Sequence, residues 1–439
     1  MDQTGVLQAF ELYKAGRLEP AAEQLRVFLG TVPFDGPANH LLGGIYFQQG
    51  KYGAAREHLN RACTAPGVTA EMFNNYGAVL KALGDVAGAI VAYRRALGLD
   101  PLYADALNNL GVIYRMRGDT GKAIENFRRA AALRPEWDQV RNNLRRAYND
   151  VIPAWHFAMM NDRPRNDAYQ AVISRLVPGK RVLDIGTGTG LLSMMAARAG
   201  AKSVTTCESV ALIAERAREI IALNGFANRI AVVARRSTDL VIGTDLAERA
   251  QVLITETFSS DLVSEGVLPA VEHAHQELLT KDAIVIPRAA AARAYIVGGA
   301  EIEDMLFAGP SNGFDLSPFN EFAPPVLAAS LNNVPHNRLS DDFELFRFDF
   351  RATQFPMESK PLTVTMSQTG TAAGLVQWIH LDLDGVSHYE NRPTSGFHGE
   401  NHWTQILHRF PRPLAVEAGG MVRLKVHHNR EQISVGLVK

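Results

Sequence analysis

Two groups of residues in the middle of the chain have types and spacings that suit ligand chemistry. The first is Asp184-Ile-Gly-Thr-Gly-Thr-Gly190, which leaves an apolar segment through a glycine-rich turn and enters a helix at Leu191. Such turns let the backbone approach a ligand and leave helix N-terminal N–H groups available. Glu208 ends the next apolar segment, where a carboxylate can bind ribose hydroxyls. A glycine-rich turn alone also occurs in ordinary turns and dinucleotide sites, so it does not identify the ligand.

Two glutamates in a later loop form the second group. Glu256 and Glu265 lie in Ile254-Thr-Glu-Thr-Phe-Ser-Ser-Asp-Leu-Val-Ser-Glu-Gly266, where a strand should end and a loop return. Two carboxylates in one loop can converge on a single cation. A purely structural interpretation of Glu265 is an acid at a helix N-terminus, which the helix dipole favours.

The pattern around these residues predicts the elements that position them. Strands are predicted near 181–185, 203–207, 230–234 and 251–256, with helices between them. This alternation predicts a doubly wound, Rossmann-like α/β domain over residues 151–288, with the glycine turn after its first strand. From residue 289 to 439, shorter alternating segments predict a C-terminal β-barrel; they are 291–297, 343–350, 362–367, 376–383, 421–427 and 433–438.

The first third of the chain is an internal repeat. Glycines recur every 34 residues, each followed at fixed distances by an alanine and by Leu, Tyr or Phe; they are Gly16, Gly50, Gly84 and Gly118. The unit resembles the tetratricopeptide repeat (TPR), in which glycine ends the first of two helices and alanine lets them cross closely. Four units and a capping helix from Trp137 to Tyr148 should form an α-solenoid over residues 1–150.

An asparagine column runs through this array. Asn75, Asn109 and Asn143 recur at the 34-residue interval in the first helix of successive units, which lines the concave face. The column resembles the ladder with which some TPR arrays hold an extended peptide, so we expect a bound peptide or protein. In the alternative interpretation these amides bond to neighbouring loops and keep the helices in register.

The composition limits the classes of protein and partner that remain possible. The 439 residues suffice for about three domains, and a net charge of −1 gives no field to attract nucleic acid or an anionic membrane. Two distant cysteines, Cys63 and Cys207, predict no disulfide framework and suit a reducing compartment. We therefore expect a soluble, cytoplasmic protein with no membrane partner, no direct nucleic-acid partner and no metal site.

Taken together, the candidate functional residues resemble those of the protein arginine methyltransferases. The matching pieces are Trp155-His-Phe-Ala-Met-Met-Asn-Asp162 with Arg165, the glycine turn, Glu208, the two glutamates, and Asn401-His-Trp403. The resemblance spans residues 151–439 and is closest to the seventh and ninth members, of which the ninth also has N-terminal TPR repeats. It implies S-adenosylmethionine (SAM) as cofactor and arginine in protein substrates as methyl acceptor.

The resemblance also implies a role for each matching residue. The residues that should face SAM are His156, Met159, Arg165, Asp184, Gly186, Gly188, Glu208, Ser237 and Thr238. Within this set, Arg165 should face the carboxylate of SAM and Glu208 its ribose. The residues that should act in catalysis or lie beside the substrate arginine are Glu256, Glu265, Asp162, His402 and Trp403.

The chain departs from the family pattern at three points. Asn401 stands where a threonine usually precedes His-Trp, and the loop between the glutamates lacks the Trp-Met pair common in asymmetric dimethylating members. This loop contains a third acid, Asp261, as the loops of the seventh and ninth members tend to. The chain has one catalytic module, whereas the seventh and ninth members have two. Residues 313–340 are similar to the family's dimerisation arm, which implies a homodimer; a plain surface loop is the alternative.

Two other functions compete with arginine methylation in proteins. One is SAM-dependent methylation of a non-protein substrate, although Thr255-Glu-Thr-Phe258 stands where nucleic-acid amino-methyltransferases usually have an Asn/Asp-Pro-Pro-aromatic motif. The other is a TPR adaptor with an inactive methyltransferase domain. Retention of both glutamates, the glycine turn, Arg165 and His402 argues against loss of activity.

Overall fold

The 34-residue period of the sequence corresponds to paired antiparallel helices in the first of two units, Met1–Pro153. The structure is a computed structural model that describes residues 4–152, 155–394 and 403–438. Within residues 4–152 the helices are α1 (Thr4–Lys14), α2 (Leu18–Thr31), α3 (Gly36–Gln48), α4 (Tyr52–Thr64), α5 (Ala70–Ala82), α6 (Val86–Leu99), α7 (Ala104–Met116), α8 (Thr120–Leu133) and α9 (Asp138–Asn149).

Glycine has two roles in this array. The glycine after the first helix of each unit adopts a φ between 72° and 82°, a left-handed conformation that ends the helix. Other glycines allow close helix crossing: a Cβ on Gly77 would lie 2.7 Å from the Tyr93 ring, and one on Gly111 equally close to Phe127. The expected small and large packing residues are buried, which confirms the helical repeat fold.

The second unit, Ala154–Lys439, begins with a parallel sheet flanked by helices. Its elements are α10 (Trp155–Asn161), α11 (Arg163–Leu176), β1 (Arg181–Ile185), α12 (Leu191–Arg198), β2 (Ser203–Cys207), α13 (Ala211–Leu223), β3 (Ile230–Val233), β4 (Ala250–Thr255), α14 (Val267–His273) and β5 (Leu279–Ile286). The strand order is β3-β2-β1-β4-β5 and every pairing is parallel. The order in which strands are added reverses at β1: β2 and β3 lie on one side of it, and β4 and β5 lie on the other. A ligand crevice is therefore expected at the carboxyl ends of β1 and β4.

The rest of this unit is antiparallel. Its elements are β6 (Ala289–Gly298), α15 (Ala300–Leu306), β7 (Pro310–Ser311), β8 (Phe314–Asp315), β9 (Val326–Ala329), β10 (Asn337–Arg338), β11 (Phe343–Asp349), β12 (Glu358–Thr365), β13 (Gly370–Asp382), β14 (His388–Glu390), β15 (Gln405–Val416), β16 (Met421–His428) and β17 (Ile433–Leu437). Among the described residues, a seven-stranded sheet is built around β6, β13 and β15, and β12, β16 and β17 form a smaller one. The predicted fold class is confirmed, with antiparallel sheets where we expected the barrel.

One apolar core is shared by the parallel sheet and the antiparallel sheets. It includes Leu183 of β1, Leu253 of β4, Leu375 of β13 and Leu424 of β16, all fully buried. Because the antiparallel sheets pack against the same core as the parallel sheet, they can hold loops at its carboxyl edge. In the part of the chain that the structure describes, no helix combines the length and apolarity needed to cross a membrane.

Two short strands of the predicted dimerisation arm belong to the seven-stranded sheet. In the 313–340 segment, β9 pairs with β15 and β10 pairs with β6. The preceding stretch carries the exposed aromatic side chains Phe314, Phe319 and Phe322, each about 70% accessible. An exposed apolar surface on residues 314–322 is therefore the part available to a partner.

Candidate functional site

The glycine turn after β1 is held against the end of β2. The N–H groups of Gly186 and Thr187 both donate to the carbonyl of Cys207, at 3.1 and 3.0 Å. Gly186 and Gly190 have no room for a side chain, because a Cβ would lie 2.6 Å from Thr257 and 2.9 Å from Ile221 respectively. Gly188 differs: its φ is +50°, and a Cβ there would meet only the Met159 methyl at 3.8 Å. The turn is thus anchored at both ends and open at Gly188.

Asp184 lies beneath this turn. Its side chain is almost fully buried and accepts hydrogen bonds from Ser193, at 2.6 Å, and Thr206, at 3.2 Å. Its Oδ1 atom has no partner within the described part of the chain. Burial raises the pKa of Asp184 to about 7, although both hydroxyl donors act in the opposite direction. Thr206 links this carboxyl to the turn, because its hydroxyl lies 2.7 Å from that of Thr187.

Glu208 follows β2 directly, as expected. Its carboxylate accepts from the N–H of Gly188 at 3.2 Å and from the N–H of Val210 at 2.9 Å. The acid is thereby fixed beside the open part of the glycine turn. Ser237 and Thr238 lie in a short 3₁₀ turn after β3, at the same edge of the sheet.

Arg165 and Glu256 form a buried ion pair next to the turn. Arg165 lies in the first turn of α11 and Glu256 directly follows β4; their side chains are 2.8 Å apart and at most 5% exposed. Burial lowers the pKa of Arg165, but Glu256 and then Tyr169 more than offset this, so its pKa lies above the ordinary value. The guanidinium also lies over the Tyr169 ring, 5.3 Å from its centre.

Asp162 caps the helix that carries Arg165. One carboxylate oxygen accepts from the N–H of Arg165 at 3.0 Å, and the other accepts from the hydroxyl of Tyr389 on β14. Burial, followed by the neighbouring Asp162, raises the pKa of Tyr389, so the phenol remains a donor. His402, the expected partner of Asp162, lies outside the described residues, as does Asn401.

The two glutamates have different environments. The Glu256 side chain is buried, whereas Glu265 is exposed and directly precedes Gly266, the N-cap of α14. Between them the loop closes on itself: the carboxylate of Asp261 accepts from the N–H groups of Val263 and Ser264, at 3.3 and 3.1 Å. The third acid of this loop therefore acts as a turn-forming acceptor.

Three contacts connect this loop to β13 and to the beginning of β15. The indole N–H of Trp403 donates to the carbonyl of Phe258 at 2.8 Å, and the hydroxyls of Ser260 and Thr404 are 3.2 Å apart. The side-chain amide of Gln377 donates to the carbonyl of Asp261 at 3.3 Å. Trp403, expected beside the substrate arginine, is 4% exposed and packs against Phe258 and Tyr389.

The remaining expected SAM-facing residues lie on α10. Met159 is buried, with its methyl group directed at Gly188, and His156 is half-buried. Sequence reasoning missed Tyr389 and Gln377, because neither belongs to a motif and each meets the site from a strand far along the chain. Among the described residues, no cluster of His, Cys, Asp and Glu has a metal-binding arrangement.

In the TPR unit, the asparagine column bonds between repeats. The Asn109 amide donates to Oδ1 of Asn74 at 3.0 Å, and the Asn143 amide donates to Oδ1 of Asn108 at 2.9 Å. Asn75 bonds in the same way to His40, at 2.8 Å. These bonds connect first helices of successive units, and the three column residues remain only half-buried.

The fold and this edge define an α/β domain of the kind that binds a nucleoside cofactor, joined to an antiparallel domain. Sequence profiles agree: residues 6–67 and 68–136 match the tetratricopeptide repeat, and 168–269 match the ribosomal protein L11 methyltransferase (PrmA). Residues 302–436 match the arginine methyltransferase oligomerization subdomain.

Individual relatives point to the same family. An arginine N(omega)-methyltransferase of Streptomyces achromogenes subsp. streptozoticus is 36% identical over 280 residues, covering 63% of this chain and 76% of the relative. A protein arginine N-methyltransferase 7 of Drosophila willistoni is 34% identical over 315 residues, covering 61% of this chain but only 45% of the relative. The chain belongs to the arginine methyltransferase family.

Solved structures show the same fold at lower identity. The Trypanosoma brucei PRMT1 enzyme–prozyme heterotetrameric complex with AdoHcy aligns with a TM-score of 0.54 at 23% identity, covering 62% of this chain and 86% of that one. The Arabidopsis thaliana protein arginine methyltransferase 10 aligns with a TM-score of 0.53 at 19% identity, covering 64% and 90%.

Family membership makes SAM the cofactor, and the residues at the edge fit it. Gly188 leaves a space that a side chain would fill, with the Glu208 carboxylate beside it. The Arg165 Nε atom is buried and has no hydrogen-bond partner within the described residues, so this cation retains a donor. A ligand with ribose hydroxyls and a carboxylate suits these groups.

Proposed function

We propose that this protein transfers a methyl group from SAM to a guanidinium nitrogen of arginine in protein substrates, and that its TPR array recruits the substrate or a partner. The observation that carries the proposal is the buried pair of Arg165 and Glu256. It connects the proposed cofactor-binding cation to the first acid of the loop where arginine would bind. Family membership and the TPR profile matches support the same function.

The cofactor side of the site uses the glycine turn and its neighbours. Asp184, Gly186 and Gly188 form the turn and its support, while Glu208 would accept hydrogen bonds from the ribose hydroxyls. Arg165 would bind the carboxylate of SAM through a donor that Glu256 does not occupy. Met159 and His156 would cover the cofactor from α10, and Ser237 with Thr238 would border the adenine.

The acceptor side orients a cation. A guanidinium group is a planar fork of donors with a pKa above about 12, so it enters the site protonated. Carboxylates of Glu256 and Glu265 would bind this fork, offset its charge and aim one nitrogen at the methyl group. Holding both reactants in this geometry can remove about 7–11 kcal/mol of the barrier. SAM supplies the methyl group on its positively charged sulfur.

Asp162, His402 and Trp403 would support this geometry. Asp162 caps the helix that carries Arg165 and would pair with His402. Trp403 donates to the loop between the glutamates and would position it beside the arginine. The three column asparagines, Asn75, Asn109 and Asn143, would hold an extended segment of the substrate or partner.

Methylation of a non-protein arginine is the second candidate. The Streptomyces relative is named an arginine methyltransferase, without mention of protein, whereas the Drosophila relatives are named protein arginine methyltransferases. The TPR units favour a protein acceptor, because such arrays form extended concave binding surfaces.

Labelled SAM can separate these candidates. The protein is incubated with labelled SAM and either lysate proteins or free arginine, and mass spectrometry locates the label. We expect methylarginine in proteins. Label only on free arginine would support the second candidate, and SAM binding without transfer to either acceptor would support an inactive adaptor.

The two glutamates test the reaction class in the same assay. Glu256→Gln and Glu265→Gln should each lose about 2–5 kcal/mol of transition-state stabilisation, because each removes a charged partner of the guanidinium. The exposed helix variant Glu219→Gln is the control and should keep full turnover. Near-normal turnover in both loop variants would exclude arginine as the acceptor.

The protein is also proposed to form a homodimer through residues 314–322. The support is the match to the oligomerization subdomain and the exposed Phe314, Phe319 and Phe322. Replacing Phe319 and Phe322 by Ser should give monomers with weakened activity. Light scattering that finds an active monomer for the unmodified protein would contradict this proposal.

A cytoplasmic location is proposed on the cysteines. Cys63 and Cys207 are both free thiols, which suits a reducing compartment. Cell fractionation that recovers the protein outside the cytoplasm would contradict this location.

A further inference from the structure

A polar pair interrupts an apolar face of β13 and β15. Along β13, Leu375 and Ile379 are fully buried in the core shared with the parallel sheet, and Gln377 lies between them on the same face. His408 of β15 is opposite Leu375 and therefore diagonal to Gln377. Gln377 and His408 are 0% and 2% exposed, where apolar residues would ordinarily pack.

The pair forms a directed chain of hydrogen bonds. A ring nitrogen of His408, Nε2, lies 2.8 Å from Oε1 of Gln377, and Nε2 of Gln377 lies 3.3 Å from the carbonyl of Asp261. Because the Gln377 amide donates toward Asp261, its oxygen must accept from His408. Burial lowers the pKa of His408 to about 4, so the ring is neutral at pH 7 and carries the single proton this arrangement needs.

Burying an amide and an imidazole costs free energy unless both are hydrogen-bonded. Here the bonds end on the loop between Glu256 and Glu265, at its turn-forming residue Asp261. A polar pair that breaks the apolar pattern of a strand and ends at a catalytic loop is more simply explained by positioning than by stability.

We propose that His408 and Gln377 act as a positioning pair that fixes the Asp261 peptide and thereby the loop that carries Glu256 and Glu265. The catalytic importance of this loop rests on the proposed function. The conformation of the loop can be measured whether or not the proposed function is correct, so the proposal has two separate readouts. Both side chains are buried, so the pair would act through the loop and not by contact with substrate or cofactor.

The first readout is backbone hydrogen exchange. The N–H of Leu262 donates to the Ser259 carbonyl at 2.8 Å, and those of Val263 and Ser264 donate to Asp261. Gln377→Met keeps the side-chain length but removes the donor, and His408→Phe keeps a ring but removes the N–H. Each should speed exchange of these three amides by roughly tenfold, the effect of one lost hydrogen bond.

Two further variants make the experiment specific. His408→Gln restores a donor to Gln377 and should recover most of the protection. Tyr295→Phe removes a part-buried hydrogen bond of β6, to His336 at 2.7 Å, and serves as the control. It should lower stability without changing exchange at Leu262, Val263 and Ser264.

The second readout is turnover. Gln377→Met and His408→Phe should lower kcat by roughly tenfold, with SAM affinity unchanged, and the double variant should be no worse because both act through one link. Unchanged exchange in both variants, equal loss in Tyr295→Phe, or no recovery in His408→Gln would overturn the proposal. Absence of methyl transfer by the unmodified protein would instead contradict the proposed function and leave the exchange test intact.

Discussion

The guanidinium of Arg165 lies 2.8 Å from the carboxylate of Glu256, and both side chains are almost completely removed from solvent. In the proposed function the arginine would bind the cofactor and the glutamate would bind the acceptor. A change at either one should therefore affect both functions and the stability of the unit.

Arg165→Met tests this coupling. The variant should lose SAM binding and should unfold about 3–5 kcal/mol more easily, because Glu256 becomes an uncompensated buried charge. Adding Glu256→Gln should restore part of the stability but no activity. Denaturant unfolding measures both effects. Arg216→Met, which removes an exposed ion pair with Glu219, is the control and should cost at most about 1 kcal/mol. Equal losses of unfolding free energy in both arginine variants would mean that the buried ion pair contributes no more stability than an exposed one.

Gly188→Val tests the cofactor site. Position 188 has a positive φ and faces Met159, so a branched side chain would strain the backbone and fill the cradle. SAM binding should be lost in calorimetry while the helical signal of the TPR array is kept. Gly200→Val provides the control, because Gly200 has φ +89° with no neighbour within 4 Å of a Cβ. If Gly188→Val bound SAM normally, the glycine turn would not be the cofactor site.

Asp184 should give the stability of the second unit a distinctive pH dependence. Its folded pKa is about 7, above the ordinary value of 3.8, so between these values the folded state binds more protons than the unfolded state. The contribution of Asp184 is therefore fully present below the lower value and lost as pH rises through the upper one, with a slope of at most about 1.4 kcal/mol per pH unit. Asp184→Asn should abolish this pH-dependent contribution to the free energy of unfolding. Unfolding free energies of the two proteins should diverge between pH 5 and about 7 in favour of the variant. Parallel curves would mean that Asp184 is ionised in the folded protein.

The sequence predicted the repeat array and four of the five strands of the parallel sheet closely, because both depend on local patterns; β5 was not among the predicted strands. The strands expected at 181–185 and 203–207 have these bounds, since each is a short apolar run between turn residues. The repeat array could be predicted from its 34-residue period and from residue size alone, because glycine ends the first helix of each unit and alanine lets the helices cross closely. These features follow from neighbours close in the chain.

The antiparallel domain was predicted less well, and the reason lies in β15. Pro411 and Pro413 suggest a break, yet the strand continues, because its pairing with β13 shifts register between Arg409 and Leu414 and accommodates them. Tyr389 and Gln377 were missed for a related reason. Their partners, Asp162 and Asp261, are more than a hundred residues away, so only the folded arrangement connects them.

The asparagine column of the TPR array bonds successive repeats, and peptide capture is its second, proposed role. Its amides connect successive units through Asn74 and Asn108, and its half-exposed positions leave it accessible to a peptide. Replacing Asn75, Asn109 and Asn143 by Ala should destabilise the array by about 1 kcal/mol per lost hydrogen bond. It should also raise the KM for a protein substrate and leave that of a short arginine peptide unchanged, because only a long substrate engages two sites.

The control variant replaces Asn74 and Asn108 by Ala. It breaks two of the three inter-repeat bonds, those donated by Asn109 and Asn143, from their acceptor side and keeps the column residues in place. If the column captures peptide, both variants lose stability in thermal unfolding, but only the column variant changes the KM for protein substrate. If both variants raise that KM equally, the column serves only to hold the repeats in register, as the alternative interpretation of the sequence expects.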